Sequence, residues 1–291
     1  MKKGFLITNG FVGEQSFIKL WDSLLAAAEK RGMSLAPASH DTLLFDAASG
    51  TPLWEADGVD FAILWDKDVR LGYQLERLGI RVFNPPTAIE ICDDKSLTHI
   101  ALAGKLPMPP TVIIPTTYKY VGYGEMEFLR RAADYLGLPM VIKECRGSFG
   151  KQVYLADTIE EAAEIIASHE AVPMLMQKAV KESFGHDIRL YVVGDKVIAG
   201  MRRSNAEDFR ANISNGGESR AYTPSAAEAN LAVSAVKLLG LDFAGVDILQ
   251  SQSGPLICEV NSNAHFHGMQ RCTGIDVAGA IMDHIMSRME I

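Results

Sequence analysis

Two carboxylates and one amide near the end of the chain have the spacing of a metal site. Asp247 lies in the apolar segment GVDIL, and Glu259 and Asn261 lie in the later segment LICEVN. Both segments have the composition of strands, and Gly254-Pro255 is predicted to form the turn between them. Because strand side chains alternate between faces, Glu259 and Asn261 share one face, and the neighbouring strand can bring Asp247 onto it.

This set of side chains offers the oxygen ligands that magnesium prefers. Proteins usually hold magnesium with one or two carboxylates plus substrate phosphates. The alternative is a hairpin whose polar residues face solvent, since acidic alternation on strands is common. Cys258 directly precedes Glu259 in the second segment and is predicted to pack inward as a small apolar side chain. These residues alone leave both interpretations open.

A glycine-rich loop follows the predicted strand that Lys143 ends. Its sequence, RGSFGK over 146–151, has two glycines that let the backbone approach a ligand, and its successive N–H groups can bind an anion. Lys143 adds a point charge suited to phosphate. A strand follows the loop where a Walker A motif requires a helix. The loop is therefore either a lid that closes over phosphates or an ordinary tight turn.

A basic cluster precedes the predicted carboxylate hairpin. Arg189 begins one strand, Arg202 and Arg203 end the next, and Arg210 lies in the loop that follows. The planar guanidinium group binds carboxylate and phosphate well, so this cluster in an acidic protein suggests an anion site. The alternative is surface ion pairing, which explains most arginines and contributes little stability.

The composition is that of an ordinary globular protein of about two domains. The chain has 291 residues, 48% of them hydrophobic and 22% charged, with a net charge of −8. That charge does not favour nucleic acid as a partner, although a locally basic cleft can hold a nucleotide. No signal peptide is recognised, and no segment nears the ~20 apolar residues of a membrane span. The four cysteines form no CxxC pair, so we expect reduced thiols in a cytoplasmic protein without a membrane partner.

Three successive units follow from the pattern of apolar segments and breaks. Residues 1–108 have the strand and helix order of a small parallel α/β domain, and the helical segment 87–104 near its end contains Lys95. Residues 109–177 are predicted to form a small α+β lobe with the glycine-rich loop. Residues 178–291 are predicted to form a larger lobe with the carboxylate hairpin.

Together these segments resemble the ATP-grasp superfamily and, within it, the RimK-type carboxylate–amine ligases. The matching pieces keep the family's order from about residue 85 to the end: DDKSLTHIALA, VIKECRGSFGKQV, MLMQKAVKESFGHDIRLYVVGDKVIAGMRR, DFRANISNGG, FAGVDILQ, LICEVNSN and RCTGID. The resemblance implies an ATP-grasp fold of α/β and α+β class, with an N-terminal α/β (pre-ATP-grasp) domain and two lobes that clasp ATP. The first 84 residues fit only as a generic α/β domain.

Position by position, the resemblance implies an ATP site between the two lobes. Lys95 and Lys143 would contact the phosphates, and Asp187 would lie near the ribose. The loop that covers the phosphates would include Gly147, Ser148 and Gly150. The hinge whose backbone contacts adenine would consist of Gln177, Lys178, Ala179 and Val180.

The resemblance also implies a metal set and a substrate set. Two magnesium ions, with manganese as the alternative, would bridge the phosphates on Asp247, Glu259 and Asn261. The substrate carboxylate, and the acylphosphate made from it, would be held by Arg203, Arg210 and Asn212.

Two departures from the family pattern concern the hinge and the acceptor end of the cleft. The hinge has Gln177-Lys178 where the family usually has Gln-Glu, which puts the ribose contacts in doubt and leaves the backbone contacts to adenine. After Asn261 the family commonly has a small residue and then Ser-Pro-Gly, whereas this chain has SNAHFH, so an unusual acceptor is expected. His265 and His267 in that segment are expected to contact substrate or to be plain loop residues, with an extra metal site as the alternative.

The predicted function is that of an ATP-dependent ligase. A carboxylate attacks the γ-phosphate to give an acylphosphate and ADP, and an amine then displaces phosphate to form an amide. The expected partners are a small-molecule or peptide carboxylate, an amino acid or other amine, or a protein tail, and the family expectation includes a homo-oligomer. The alternatives are a catalytically silent regulatory nucleotide-binding module and a kinase-like phosphorylation without amide formation.

Overall fold

The N-terminal part of the chain forms a parallel sheet flanked by helices. A computed structural model describes residues 2–148, 150–211 and 217–290. The first elements are β1 (Lys3–Thr8), α1 (Gln15–Glu29), β2 (Ser34–Ser39), β3 (Phe45–Asp46), β4 (Thr51–Pro52), β5 (Phe61–Leu64), α2 (Val69–Arg77), β6 (Arg81–Phe83), α3 (Pro86–Asp93) and α4 (Lys95–Leu102). The parallel strands have the order β2-β1-β5-β6, and α1 buries Leu20, Leu24 and Ala27 at helical spacing.

The predicted helical segment 87–104 is two helices, α3 and α4, because the chain breaks at Asp94. The Asp94 backbone is extended, and its carboxylate accepts hydrogen bonds from the backbone N–H groups of Ser96 and Leu97. An aspartate in this position caps a new helix. Lys95 is therefore the first residue of α4 instead of an interior residue of one long helix.

The next elements form an antiparallel sheet with two helices, which we call the small lobe. They are β7 (Thr111–Ile113), α5 (Glu127–Leu136), β8 (Met140–Glu144), β9 (Val153–Ala156), α6 (Ile159–Ser168) and β10 (Met174–Lys178). The strand order is β7-β10-β8-β9, which places the ends of β8 and β10 side by side. A separate hydrophobic core, which includes Leu129, Ile142, Ile166 and Met176, joins this sheet to α5 and α6.

The remaining elements form a larger antiparallel sheet with helices, which we call the large lobe. They are β11 (His186–Val193), β12 (Lys196–Ser204), β13 (Glu218–Ala221), α7 (Ala226–Leu239), β14 (Phe243–Ser251), β15 (Gly254–Asn261), α8 (His267–Thr273) and α9 (Val277–Met289). The strand order is β13-β12-β11-β14-β15. Ser225 and Glu228 form a capping box at the start of α7. Within the described ranges, no helix is long and apolar enough to cross a membrane.

The prediction that Gly254-Pro255 forms the turn of the carboxylate hairpin is wrong. Ser251 pairs with Gly254 and Gln250 pairs with Pro255, so the chain reverses between Ser251 and Gly254. Proline fits within this ladder because β15 lies at the edge of the sheet, where a missing N–H is tolerated.

The first sheet and the large lobe share one hydrophobic core. This core contains Leu6 and Phe61 from the first sheet together with Phe243 and Ile281 from the large lobe. Asn84, just after β6, is fully buried and joins the two parts. Its amide nitrogen donates to the carbonyls of Phe243 and Ser262, both at 2.9 Å, and its amide oxygen accepts from two backbone N–H groups of the large lobe. The domain boundaries at residues 108 and 177 stay predictions.

Candidate active site

A cleft of about 860 Å³ lies between the small-lobe and large-lobe sheets. The predicted site residues that line it are Lys95, Lys143, Gly147, Ser148, Gly150, Gln177, Lys178, Val180, Asp187, Arg203, Arg210, Asp247 and Glu259. Ala179 is buried in the hinge segment, and Asn261 lines an adjoining cavity. Asn212 lies outside the described residues. The cleft therefore gathers residues that are far apart in the sequence.

Lys143 is a buried cation to which the described residues offer no carboxylate partner. Its side chain is on β8 and it is only 7% exposed. Nζ donates to Gln177 Oε1 at 2.8 Å and lies 3.7 Å from Cys258 Sγ. Both neighbours are neutral, since burial raises the pKa of the Cys258 thiol although Lys143 opposes that rise. Burying an ammonium group without a counter-charge is costly, so this position favours a bound anion.

Lys95 reaches the same cleft from the start of α4. Its Nζ lies 3.3 Å from Glu259 Oε1 and donates to the Gly147 carbonyl at 3.2 Å. The side chain is about one-tenth exposed. Because the chain breaks at Asp94, the first turn of α4 points Lys95 at both the glycine-rich loop and β15.

The glycine-rich loop is held by contacts from both sides of the cleft. The Ser148 N–H donates to Gln152 Oε1 at 3.2 Å, and a Cβ on Gly147 would lie only 2.6 Å from that oxygen. The φ of Gly147 is +158°, which is close to extended backbone. The clash with Gln152, and not the backbone conformation, is therefore the first obstacle to a side chain at this position. Arg210 donates to the Gly150 carbonyl at 2.7 Å. The loop thus closes over the cleft from the small lobe and touches the large lobe.

The two predicted carboxylate ligands lie directly opposite each other. Asp247 on β14 pairs with Glu259 on β15, and Asn261 pairs with Gly245. The register shifts after Asp247, so that Cys258 has no opposite residue. This bulge turns Cys258 into the cleft beside Lys143, so the prediction that Cys258 packs inward as a small apolar side chain is wrong.

Asp247 belongs to a buried network with two arginines. Arg189 donates two hydrogen bonds to it, both at 2.6 Å, and Arg203 lies 2.9 Å away. Burial alone would raise the pKa of Asp247, but the two guanidinium groups lower it to about 2. Arg203 also pairs with Asp187, whose pKa is raised by burial against the opposing effect of Arg203. The four charges balance one another away from water, where a single missing partner is costly.

The donor set at β14 and β15 fits a hard cation. Two carboxylates share one face there, and Asn261, two residues after Glu259 on the same strand, could add its amide oxygen, since the amide nitrogen carries only hydrogens. Across the described ranges, no group of three or more His, Cys, Asp or Glu side chains could hold a metal by itself. A set of this size matches magnesium, which takes its remaining ligands from phosphates and water. Arg189 and Arg203 would have to share Asp247 with the ion.

Arg210 is held at the rim of the cleft instead of pointing freely into it. It pairs with Asp208 at 2.6 Å, and the hydrogen bonds with that carboxylate raise the pKa of Arg210. Its second terminal nitrogen contacts the glycine-rich loop at Gly150. A substrate carboxylate at this rim would therefore meet Arg210 together with the closed loop.

A second cavity of about 1400 Å³ adjoins the first and shares Gly147, Ser148, Arg203 and Glu259 with it. It is also lined by Ser16 of α1, Lys67 of the loop after β5 and Arg271 of α8. Lys67 follows β5 at the carboxyl end of a parallel strand, which is where α/β sheets bind ligands. Its position just after an apolar strand segment could have identified Lys67 from the sequence. Ser16, Lys67 and Arg271 were not among the predicted site residues.

His265 and His267 contact α1 in this second cavity. The His265 ring meets Phe17 edge-on with centroids 4.5 Å apart, and His267 Nε2 lies 3.0 Å from Ser23 Oγ. Burial lowers the pKa of both imidazoles, which favours their neutral forms. The segment that replaces the family's Ser-Pro-Gly therefore packs on the first domain.

Comparison with known proteins places these features in one family. The RimK-like ATP-grasp domain model matches residues 93–285. The chain is 38% identical over 217 residues to a probable alpha-L-glutamate ligase of Maridesulfovibrio salexigens, which covers 73% of this chain and 69% of that protein. It is 36% identical over 226 residues to beta-citrylglutamate synthase B of Danio rerio, covering 76% of this chain. The chain spans 54% of the length of that second relative.

Solved structures with the same architecture include a RimK-domain ATP-grasp protein from Sphaerobacter thermophilus, with a TM-score of 0.74 and 21% identity over 97% of this chain and 98% of that one. D-alanine–D-alanine ligase from Bacillus anthracis matches with a TM-score of 0.73 and 19% identity, over 99% of this chain and 97% of that one. These likenesses confirm the ATP-grasp fold. With the matched domain and the sequence relatives, they show that the chain belongs to the RimK-like ATP-grasp family.

Proposed function

We propose that this protein is an ATP-dependent carboxylate–amine ligase, and the buried Lys143 is the observation that carries the proposal. Lys143 is 7% exposed and its hydrogen-bond partners among the described residues are neutral, so an anion is favoured beside it. The cleft around it is large enough for a nucleotide. The relatives named as alpha-L-glutamate ligase and beta-citrylglutamate synthase support amide formation as the reaction.

The nucleotide is proposed to lie between β8, β10 and the opposing strands of the large lobe. Lys95 and Lys143 would bind the phosphates, and the loop of Gly147, Ser148 and Gly150 would cover them. The hinge that reads adenine through its backbone is proposed to consist of Gln177, Lys178, Ala179 and Val180, with Asp187 near the ribose.

The residues proposed to hold metal are Asp247, Glu259 and Asn261. Magnesium bound there, as two ions or with manganese as the alternative, would neutralise phosphate charge during transfer. Glu259 would exchange its contact with Lys95 for the ion, which would release Lys95 toward phosphate. Asp247 would remain ionised throughout, because its pKa is about 2.

The acceptor substrates are proposed to enter through the second cavity. Its lining includes Lys67, which pairs with Asp93, and Arg189 and Arg203, whose charges are balanced by Asp187 and Asp247. Among the described residues that line this cavity, Arg271 is the cation without a carboxylate partner, and it suits the carboxylate of an acidic amino acid or a dicarboxylate. Arg203, Arg210 and Asn212 are proposed to hold the reacting carboxylate and its acylphosphate. The closed loop would shield that intermediate from water.

We also propose a cytoplasmic enzyme, since the described cysteines are all free thiols. A peptide or protein tail as acceptor, and a homo-oligomer, remain part of the proposal on family grounds.

The test is ADP release with Mg–ATP across a panel of paired carboxylates and amino acids, with mass spectrometry of the products. A product heavier by one condensed amino acid would establish the ligase. Phosphorylated substrate without amide would instead establish a kinase-like reaction. Tight Mg–ATP binding without ADP release, for every pair and for short acidic peptides, would contradict the ligase proposal and favour a regulatory module.

A further inference from the structure

A histidine outside the predicted site is connected to the phosphate-binding lysine by a short chain of hydrogen bonds. His99 lies on α4, one helical turn after Lys95. Its Nε2 is 3.2 Å from Gln177 Nε2, and Gln177 Oε1 accepts the hydrogen bond from Lys143 at 2.8 Å. We propose that His99 is a positioning residue for Lys143, acting through the side-chain amide of Gln177.

The orientation of the Gln177 amide is the step that makes His99 matter. Lys143 is a donor only, so the atom of Gln177 that faces it has to be the oxygen. The amide nitrogen must then face the other way, where it meets Thr111 Oγ1 at 2.9 Å and His99 Nε2. A reversed amide would set N–H groups against the ammonium and leave Lys143 without its closest acceptor.

His99 can fill this position only as a neutral imidazole that accepts at Nε2. The amide nitrogen of Gln177 brings only hydrogens, so the proton of the neutral ring has to be on Nδ1. Burial, together with the nearby Lys143 ammonium, lowers the pKa of His99 to about 4, which keeps the ring neutral near neutral pH. The geometry and the protonation state therefore agree.

The burial of the amide makes a loose arrangement costly. Gln177 is 2% exposed, so water cannot replace a lost partner. Its two amide hydrogens have two acceptors, and removing His99 leaves one hydrogen buried and unpaired. The amide can then rotate, and the ammonium of Lys143 loses the fixed acceptor that aims it into the cleft.

His99 and Lys95 lie four residues apart, so they share one face of α4. The same helix face therefore supplies one phosphate-binding ammonium directly and orients the other through Gln177. Both effects depend on the helix start at Asp94, which sets where this face points.

The inference rests on the proposed function, because it assumes that Lys143 binds ATP phosphates. The test measures the Kd for Mg–ATP by calorimetry, and the KM for ATP where turnover is available. His99→Leu should weaken ATP binding about fivefold to tenfold, the scale of one unpaired buried donor. His99→Gln keeps an acceptor near the Nε2 position and should restore binding to within about twofold of the unmodified protein.

The matched control is His169→Leu. His169 is a partly buried histidine of the small lobe that bonds to Tyr154 and the Ile165 carbonyl outside the cleft. It should change thermal stability without changing the Kd for ATP. Adding His99→Leu to Gln177→Leu should weaken ATP binding no further than Gln177→Leu alone, because His99 acts through that amide.

Three outcomes would overturn the inference: an unchanged Kd in His99→Leu, no recovery in His99→Gln, or additive losses in the double variant. If His99→Leu does not fold, His99→Asn replaces it, since the shorter amide cannot reach Gln177. Measuring ATP binding in Lys143→Met distinguishes a failure of this inference from a failure of the proposed function. Unchanged ATP binding in Lys143→Met would reject the phosphate site itself, whereas a large loss there with none in His99→Leu rejects only the role of His99.

Discussion

Replacing Lys143 with methionine is expected to weaken ATP binding strongly while leaving the ligand-free protein almost as stable as before. The ammonium is 7% exposed and its neighbours, Gln177 and Cys258, are neutral. Removing it relieves a desolvation cost of several kcal/mol, and methionine keeps most of the volume. The opposing loss is the charged hydrogen bond to Gln177, about 1.5–3 kcal/mol. We therefore expect the free energy of unfolding to change by less than about 2 kcal/mol.

Lys143→Met should change the free energy of ATP binding by more than it changes the free energy of unfolding of the ligand-free protein. The expected change in binding is a loss of affinity. A charge-assisted hydrogen bond to phosphate contributes up to about 3 kcal/mol, which corresponds to a Kd roughly a hundredfold weaker. Thermal and urea denaturation with and without Mg–ATP measures both effects. At a ligand concentration of 100 times the original Kd, ATP should stabilise the unmodified protein by about 2.7 kcal/mol and the variant by only about 0.4 kcal/mol.

The control is Lys237→Met, which removes an exposed lysine from α7 and should alter neither quantity. The reasoning is refuted if Lys143→Met destabilises the ligand-free protein by more than about 3 kcal/mol while the stabilisation by ATP is retained. Lys143 would then be a structural residue and the cleft would need another phosphate contact.

Three further predictions concern the large lobe. Glu259→Gln should abolish ADP release without a change in fold, and full activity in a coupled assay would exclude Glu259 from the metal set. Arg203→Met should lower the free energy of unfolding by about 3–5 kcal/mol, because Asp187 and Asp247 stay buried without it; a loss below about 1 kcal/mol in urea denaturation would contradict the buried network. Burial would raise the pKa of Asp247, but Arg189 and Arg203 lower it to about 2. The contribution of Asp247 to stability is therefore complete above the unfolded pKa of about 3.9 and is lost as pH falls from there toward 2. Asp247→Asn should flatten that dependence in denaturation series between about pH 6 and pH 2.5, and an unchanged slope would assign it to other groups.

The face shared by the carboxylates could be predicted because the alternation of a strand is a local property. Asp247 and Glu259 are opposite partners, as the pattern of GVDIL and LICEVN indicates. The bulge at Cys258 could not be predicted, since it depends on which residues of two strands pair. The turn was misplaced for a related reason, because Pro255 is tolerated only through the edge position of β15.

The connections between distant segments were the other part that local patterns could not supply. The contact between Lys143 and Gln177 joins neighbouring strands, and His99 reaches them from a helix 78 residues earlier in the chain than Gln177. The edge strand β2 has the sequence SLAPAS, which lacks the β-branched and aromatic residues that indicate strands, so local pattern does not predict it. The break at Asp94 was available in the sequence, since aspartate before a helical run is a capping signal.

The buried Asn84 has a consequence for how the protein moves. Its hydrogen bonds and the shared core join the first sheet to the large lobe, whereas the small lobe has a core of its own. Opening and closing of the nucleotide cleft should therefore be a hinge motion of the small lobe alone. Most residues that line the second cavity come from these two joined parts, so we expect its walls to be largely formed before ATP binds. Acceptor binding should be able to precede nucleotide binding, and only Gly147 and Ser148 would move when the lobe swings.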